Sequence, residues 1–166
     1  AGLVEALGEG VSDLAPGDRV FFSGGGGLFR EAAIFPASKV SRVPEGVALE
    51  TAALMTANYQ TALYALIDRA RARPGEAMLV LGAAGGTGIA AIQIGKHLGL
   101  RVIASASTEA KRAASLTAGA DAAVATGAAD WRDQVKAANH GKPVDIVFDP
   151  VGGALSELAF RNLGYD

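Results

Sequence analysis

The sequence predicts an α/β fold, a doubly wound parallel sheet preceded by a smaller β piece, and three observations carry that prediction. From Ala77 onward, short apolar runs alternate with helix-length segments. Strictly alternating units of this kind pair as parallel strands with helices on both faces. Glycine is abundant (22 of 166 residues) and aromatics make up only 6%, a composition suited to tight turns and close backbone packing. One glycine-rich loop, Leu81-Gly82-Ala83-Ala84-Gly85-Gly86-Thr87-Gly88, stands directly between a strand and a helix.

The chain changes character near residue 46. Before it, strands and turns predominate. Leu3 to Leu7 is a short apolar stretch ended by Gly8-Glu9-Gly10. Ala15-Pro16-Gly17-Asp18 is a turn, with Pro and Gly supplying its backbone angles. Arg19 to Phe22 is the next strand, and Ser23 to Gly27 a flexible connection. Phe29–Phe35 and Val40–Val43 are further strand candidates split by Pro36, and Pro44-Glu45-Gly46 closes the section.

After residue 46 the period lengthens. Leu49 to Ile67 is helical in pattern, and Pro74-Gly75-Glu76 is a turn. Ala77 to Leu81 is continuously apolar, as a strand buried on both faces should be. Gly88 to Leu98 is a helix, with Gly99 at the C′ position that glycine favours. Arg101–Ser105, Ala122–Ala125 and Val144–Phe148 are the following strands; Glu109–Thr117, Asp130–Ala138 and Ala154–Leu163 are the helices that alternate with them.

Composition excludes several classes of function. Half of the residues are hydrophobic and 19% charged, which rules out an intrinsically disordered chain. A net charge of −2 leaves no basic footprint for nonspecific nucleic-acid binding. Cysteine is absent, so disulfides, thiolate metal sites and cysteine nucleophiles are excluded from this stretch. The apolar runs break off well short of the ~20 residues of a spanning helix. No membrane partner and a cytoplasmic location are therefore expected. The chain opens Ala1-Gly2-Leu3-Val4 without a starting Met and is expected to be an internal fragment of a longer protein.

The glycine loop has the context of a dinucleotide fingerprint, with Ala83 in place of the first glycine and Gly85 and Gly88 in place. A pyrophosphate must approach the backbone closely, so bulky side chains have to be absent there. The free N–H groups and dipole of the helix start then favour the anion. Gly88 lets the helix pack tightly on its strand. At the end of the second strand of this section, where a carboxylate would bind a ribose 2′-hydroxyl, the sequence reads Ser105-Ala106-Ser107-Thr108-Glu109-Ala110-Lys111-Arg112. Small hydroxyl residues and two cations suit a 2′-phosphate, hence NADPH; a Ser/Thr helix cap before a solvated basic turn is the plainer alternative. Asp149-Pro150-Val151-Gly152-Gly153 either lets backbone approach a cofactor or is a simple turn, with Asp149 bonding the local backbone. His97 at a helix end, His140 in a polar loop and Trp131 in the core have no assigned chemistry, and no metal site is expected. No Ser/His/Asp triad or carboxylate pair stands out, so no catalytic residue is assigned.

One ordered set of motifs resembles a known family. It comprises Gly17-Asp18-Arg19-Val20, Gly27-Leu28-Phe29-Arg30-Glu31, Val43-Pro44, Asn58-Tyr59-Gln60-Thr61-Ala62-Leu63-Tyr64-Ala65-Leu66, Pro74-Gly75-Glu76, the glycine loop, Gly119-Ala120-Asp121, Val144-Asp145 and Asp149 to Gly153. The set resembles the zinc-independent quinone oxidoreductase (zeta-crystallin-like) branch of the medium-chain dehydrogenase/reductases, across essentially the whole chain. The resemblance implies residues 1–46 as the end of a GroES-like catalytic domain and 47–166 as the first four strands of a Rossmann domain. It implies hydride transfer from NADPH to a quinone or other α,β-unsaturated carbonyl, and a homodimeric parent. By position, Ala84, Gly85, Gly86, Thr87 and Gly88 match the pyrophosphate loop. Ser107 and Lys111 match the 2′-phosphate contacts, Thr61 a residue near the nicotinamide, and Gly153 a position beside the cofactor. Thr126 stands where many members carry Tyr, and Arg30 where a small residue is usual. The cysteine-rich lobe of zinc-dependent relatives has no room between Val20 and Val43. An enoyl-thioester reductase and a nonenzymatic NADPH-binding or structural protein are the alternatives on the same scaffold.

Overall fold

The computed structural model describes residues 1–22 and 28–164. The Ser23–Gly27 connection and the last two residues lie outside the described residues. The chain divides into two compact units, Ala1–Ala57 and Asn58–Asp166.

In the first unit, β1 (Gly2–Leu3), β2 (Arg19–Phe22) and β3 (Val40–Arg42) form an antiparallel sheet in the order β1-β2-β3. Val20 pairs with Gly2 on one side and Arg42 on the other. β1 is shorter than the apolar run from Leu3 to Leu7. Its pairing ends where the Val4 N–H donates to the Asp18 carbonyl and the Gly17 N–H to the Val4 carbonyl. The turn before β2 is held by Asp18, whose carboxylate accepts the Ala15 N–H at 2.8 Å and the Arg42 guanidinium at 2.8 and 3.2 Å. The backbone bond first and Arg42 second keep this carboxyl below its ordinary range.

Residues 29–35 are not a strand. Both edges of β2 are already paired, and a ladder needs a partner for its backbone groups. Phe29 and Ile34 are fully exposed, while Phe35 stacks on Phe22 with ring centroids 4.0 Å apart.

The second unit holds the parallel sheet. Its strands are β4 (Ala77–Val80), β5 (Arg101–Ala106), β6 (Ala122–Ala125) and β7 (Ile146–Phe148), in the spatial order β6-β5-β4-β7. The first α-helix among the described residues, α1 (Leu49–Leu63), ends in a π-type turn over Tyr64–Arg69 and precedes β4. The others, α2 (Gly86–His97), α3 (Glu109–Thr117), α4 (Trp131–Ala138) and α5 (Ala154–Phe160), each follow a strand. Successive side chains of β4 and β5 enter different cores, which is why these strands read as unbroken apolar runs. Met78, Val80, Val102 and Ala104 pack with α2 and Leu66. Leu79, Leu81 and Ile103 pack with Val124, Trp131, Val135 and Val144 on the other face.

Two glycines fix how α2 leaves the sheet. Gly99 has φ +78°, the left-handed C′ conformation, and its N–H donates to the Lys96 carbonyl. A Cβ on Gly95 would lie 2.5 Å from Met78 Cε and 3.1 Å from Val102 Cγ2, so the helix sits directly on β4 and β5 there. β7 and α5 are shorter than their apolar patterns because Val144 and Leu163 form a separate parallel bridge beside β7.

Candidate functional site

The register pairs Val80 with Ala104 and with Phe148, and Ala106 with Ala125. The carboxyl ends of all four strands therefore reach one edge of the sheet, where open α/β folds place their ligands. Three loops emerge there from the adjacent strands β4, β5 and β7.

The first is the glycine loop. Gly82 turns the chain with φ +57°, and a Cβ on it would sit 2.9 Å from Val151 Cγ2. Gly85 caps α2 in extended backbone and has no side chain to offer. The N–H groups of Gly86, Thr87 and Gly88 find no acceptor among the described residues. From Gly82 to Gly86 no side chain exceeds a methyl group. A Cβ on Gly88 would lie 2.5 Å from the Gly82 oxygen and 2.8 Å from Ala83 Cα and its carbonyl oxygen, so only glycine lets α2 begin this close to the loop.

Asn58 on α1 closes the other side of this loop. Its Oδ1 accepts the Thr87 hydroxyl at 3.0 Å, and its Nδ2 lies 2.7 Å from where a Gly86 Cβ would be. Thr61 is exposed on the same helix, three residues on and so on the same side. The role of Asn58 is not legible in the sequence, because nothing in residue spacing shows that α1 returns to the start of α2.

The second loop follows β5. Ser107 and Lys111 are both exposed, and Lys111 lies in the first turn of α3. Thr108 caps that helix by accepting the Lys111 N–H at 3.3 Å. The Lys111 ammonium has no carboxylate partner among the described residues. Arg112 lies against the Ala106 and Ser107 carbonyls at 3.5 Å, the edge of hydrogen bonding.

In the third loop the local turn is formed in full. The Asp149 carboxylate accepts the Val151 and Gly152 N–H groups at 2.8 and 2.9 Å and also the Ser156 hydroxyl. Burial is the largest single influence and raises this carboxyl. The hydrogen bonds from Ser156, Gly152 and Val151 together outweigh it, and the group lies below its ordinary range. Gly153, exposed with φ +72°, precedes α5.

The other residues singled out lie away from this edge or in the interior, except Thr126, which follows β6. His97 ends α2, and His140 is exposed after α4 with φ +56°. Trp131 is buried. Thr126 turns its hydroxyl inward to Ser105 at 2.7 Å. Among the described residues no three His, Cys, Asp or Glu side chains could hold a metal ion, and no helix is long and apolar enough to cross a membrane. A helix start without a side-chain cap, with a cation on the neighbouring loop that has no carboxylate partner among the described residues, can receive an oxyanion or phosphate.

Residues 86–166 match the family model described as zinc-binding dehydrogenase. The chain is 36% identical to quinone oxidoreductase of Rattus norvegicus over 167 residues, which is 100% of this chain and 49% of that protein. It is 38% identical to the pikromycin polyketide synthase component PikAII of Streptomyces venezuelae over 168 residues, 99% of this chain and 4% of that one. The structure of mycobacterial Rv1454c complexed with NADPH superposes with a TM-score of 0.83 at 34% identity, covering 98% of this chain and 51% of the other. The chain thus spans about half of two of these relatives and a small part of the third.

Proposed function

The chain belongs to the quinone oxidoreductase-like branch of the medium-chain dehydrogenase/reductase superfamily, and from that premise we propose that its protein passes hydride from NADPH to a quinone or other α,β-unsaturated carbonyl. The observation that carries the cofactor assignment is the start of α2: free N–H groups, no side chain larger than methyl from Gly82 to Gly86, and Lys111 on the next loop without a carboxylate partner. These residues fit a dinucleotide with a 2′-phosphate.

NADPH, when bound, supplies the hydride for an electron-poor carbon of the acceptor. The chain's own residues bind and orient. Gly86, Thr87 and Gly88 offer backbone N–H groups to the pyrophosphate, with Ala84 and Gly85 leaving its approach open. Ser107 and Lys111 take the 2′-phosphate, Lys111 as a point charge. Gly153 leaves backbone exposed after β7, and Thr61 lies toward the nicotinamide end. Asn58 keeps Thr87 and the first turn of α2 in place. The reading is zinc-independent because the stretch between Val20 and Val43 is too short for the cysteine-rich lobe of zinc-dependent relatives.

A second acceptor class, an enoyl thioester, is favoured by the likeness to PikAII, a polyketide synthase component. Turnover separates the two. The chain by itself is expected to be inactive, so the purified full-length protein is given NADPH with a simple quinone and, separately, with an enoyl thioester, and NADPH oxidation is followed optically. Oxidation with the quinone supports the first reading, and oxidation with the thioester alone supports the second. NADPH binding without turnover of either contradicts both and leaves a nonenzymatic binder.

A further inference from the structure

Ser105 joins four segments at the nucleotide-binding edge. It is fully buried in β5. Its carbonyl accepts the Ala83 N–H of the glycine loop at 3.2 Å. Its hydroxyl shares a 2.7 Å hydrogen bond with Thr126 Oγ1 at the end of β6 and accepts the Trp131 indole N–H at 2.9 Å. The indole nitrogen only donates, so Ser105 is the acceptor there, while in the bond between Ser105 and Thr126 either hydroxyl can donate. Trp131 is the sole tryptophan and the first residue of α4, and its ring is buried among Leu79, Ile103, Val124 and Val135. It is therefore held rigidly from the core side while its N–H reaches the last turn of the sheet. Two residues beyond Ser105 stands Ser107, and Lys111 lies one helical turn further on. The β5 end is fixed from one more direction, where the Thr126 N–H donates to the Ala106 carbonyl at 3.2 Å.

We propose that Trp131 is a positioning residue for cofactor choice: by holding Ser105 it fixes the end of β5, and with it the placement of Ser107 and Lys111 that selects a 2′-phosphate. The proposal rests on the NADPH reading above. Tryptophan is not needed there for packing alone, since phenylalanine would fill most of the same core; the indole N–H is what phenylalanine lacks.

The test compares NADPH and NADH dissociation constants, by cofactor fluorescence, for the purified protein and for Trp131→Phe, Ser105→Ala and the double variant. Each single variant is expected to lower the NADPH-over-NADH preference by about fivefold, because a charge-assisted contact loses much of its strength when its geometry loosens. The double variant is expected to lower it no more than Ser105→Ala alone, which already removes the Trp131 bond along with the Thr126 bond. A residue that only packs would weaken both cofactors by the same factor and leave the ratio unchanged. That result, in variants that melt cooperatively, overturns the proposal while the wild-type preference for NADPH still stands. A wild type without that preference overturns the proposal together with the reading beneath it. Ser105→Ala removes the Trp131 and Thr126 bonds together, and Thr126→Val removes the latter alone; if Trp131→Phe does not fold, a larger loss of preference in Ser105→Ala than in Thr126→Val supports the proposal, and an equal loss overturns it.

Discussion

Gly88→Ala tests the idea that backbone proximity at the start of α2 is what the glycine loop provides. The new Cβ would stand 2.5 Å from the Gly82 oxygen, and its three nearest neighbours are all backbone. Opening that contact to an ordinary 3.4 Å moves α2 off the loop by about 0.9 Å, the difference of the two distances. The helix cannot yield freely, because Ala90, Ala91, Ile92 and Ile94 are buried against the sheet. Overpacking of this kind costs about 1–3 kcal/mol, and alanine's better helix propensity offsets up to about 1 kcal/mol. A net loss of about 1–2 kcal/mol lowers the melting temperature by roughly 5–10 °C for a unit of this size. Gly95→Ala is the control. Its Cβ also meets an atom at 2.5 Å, but that atom is Met78 Cε, the end of a flexible side chain. Its cost is expected to stay below about 1 kcal/mol. Thermal unfolding by circular dichroism, with NADPH titration of each variant, reads both effects. If Gly88→Ala melts at or above the wild-type temperature and binds NADPH normally, close backbone approach at this glycine is not what the loop requires.

Lys111→Ala removes an exposed cation and leaves the melt unchanged; NADPH affinity should fall roughly 10–100-fold, the worth of one charge-assisted phosphate contact, while NADH affinity stays within about twofold, as fluorescence titration would show. Ser107→Asp places a carboxylate where the 2′-phosphate is expected, so titration should find the cofactor preference reversed toward NADH. Asp149 binds its proton more weakly folded than unfolded. Its contribution is therefore present above the ordinary carboxylate value of about 3.9 and disappears as pH falls through the lower folded value. Urea unfolding of Asp149→Asn should show a loss of ~1 kcal/mol at neutral pH. The gap to wild type should close only in strong acid; a gap that widened with acid would contradict the assigned direction.

Sequence carried the parallel sheet because its strands are buried on both faces. The runs 77–81 and 101–105 have no polar alternation to confuse with an exposed ladder. It also carried the turn and close packing of the glycine loop, since these depend on residue type at positions adjacent in the chain. Residues 29–35 misled because Phe29, Ile34 and Phe35 have strand propensity but pair with no strand among the described residues. Asn58 and the Ser105–Trp131 bond could not be read in advance. Each joins residues 26 or more positions apart, and their side chains are common ones with no spacing signature. The Asp149 motif was legible as a choice of two roles, and the structure fills one of them, the turn, with three hydrogen bonds.

The most direct test is titration of the purified protein with NADPH and NADH, followed by addition of a quinone. Tight NADPH binding, weaker NADH binding and oxidation of NADPH when the quinone is added are the predicted result. Preference for NADH would contradict the 2′-phosphate assignment, and binding of neither would mean that the loop between β4 and α2 is only a turn.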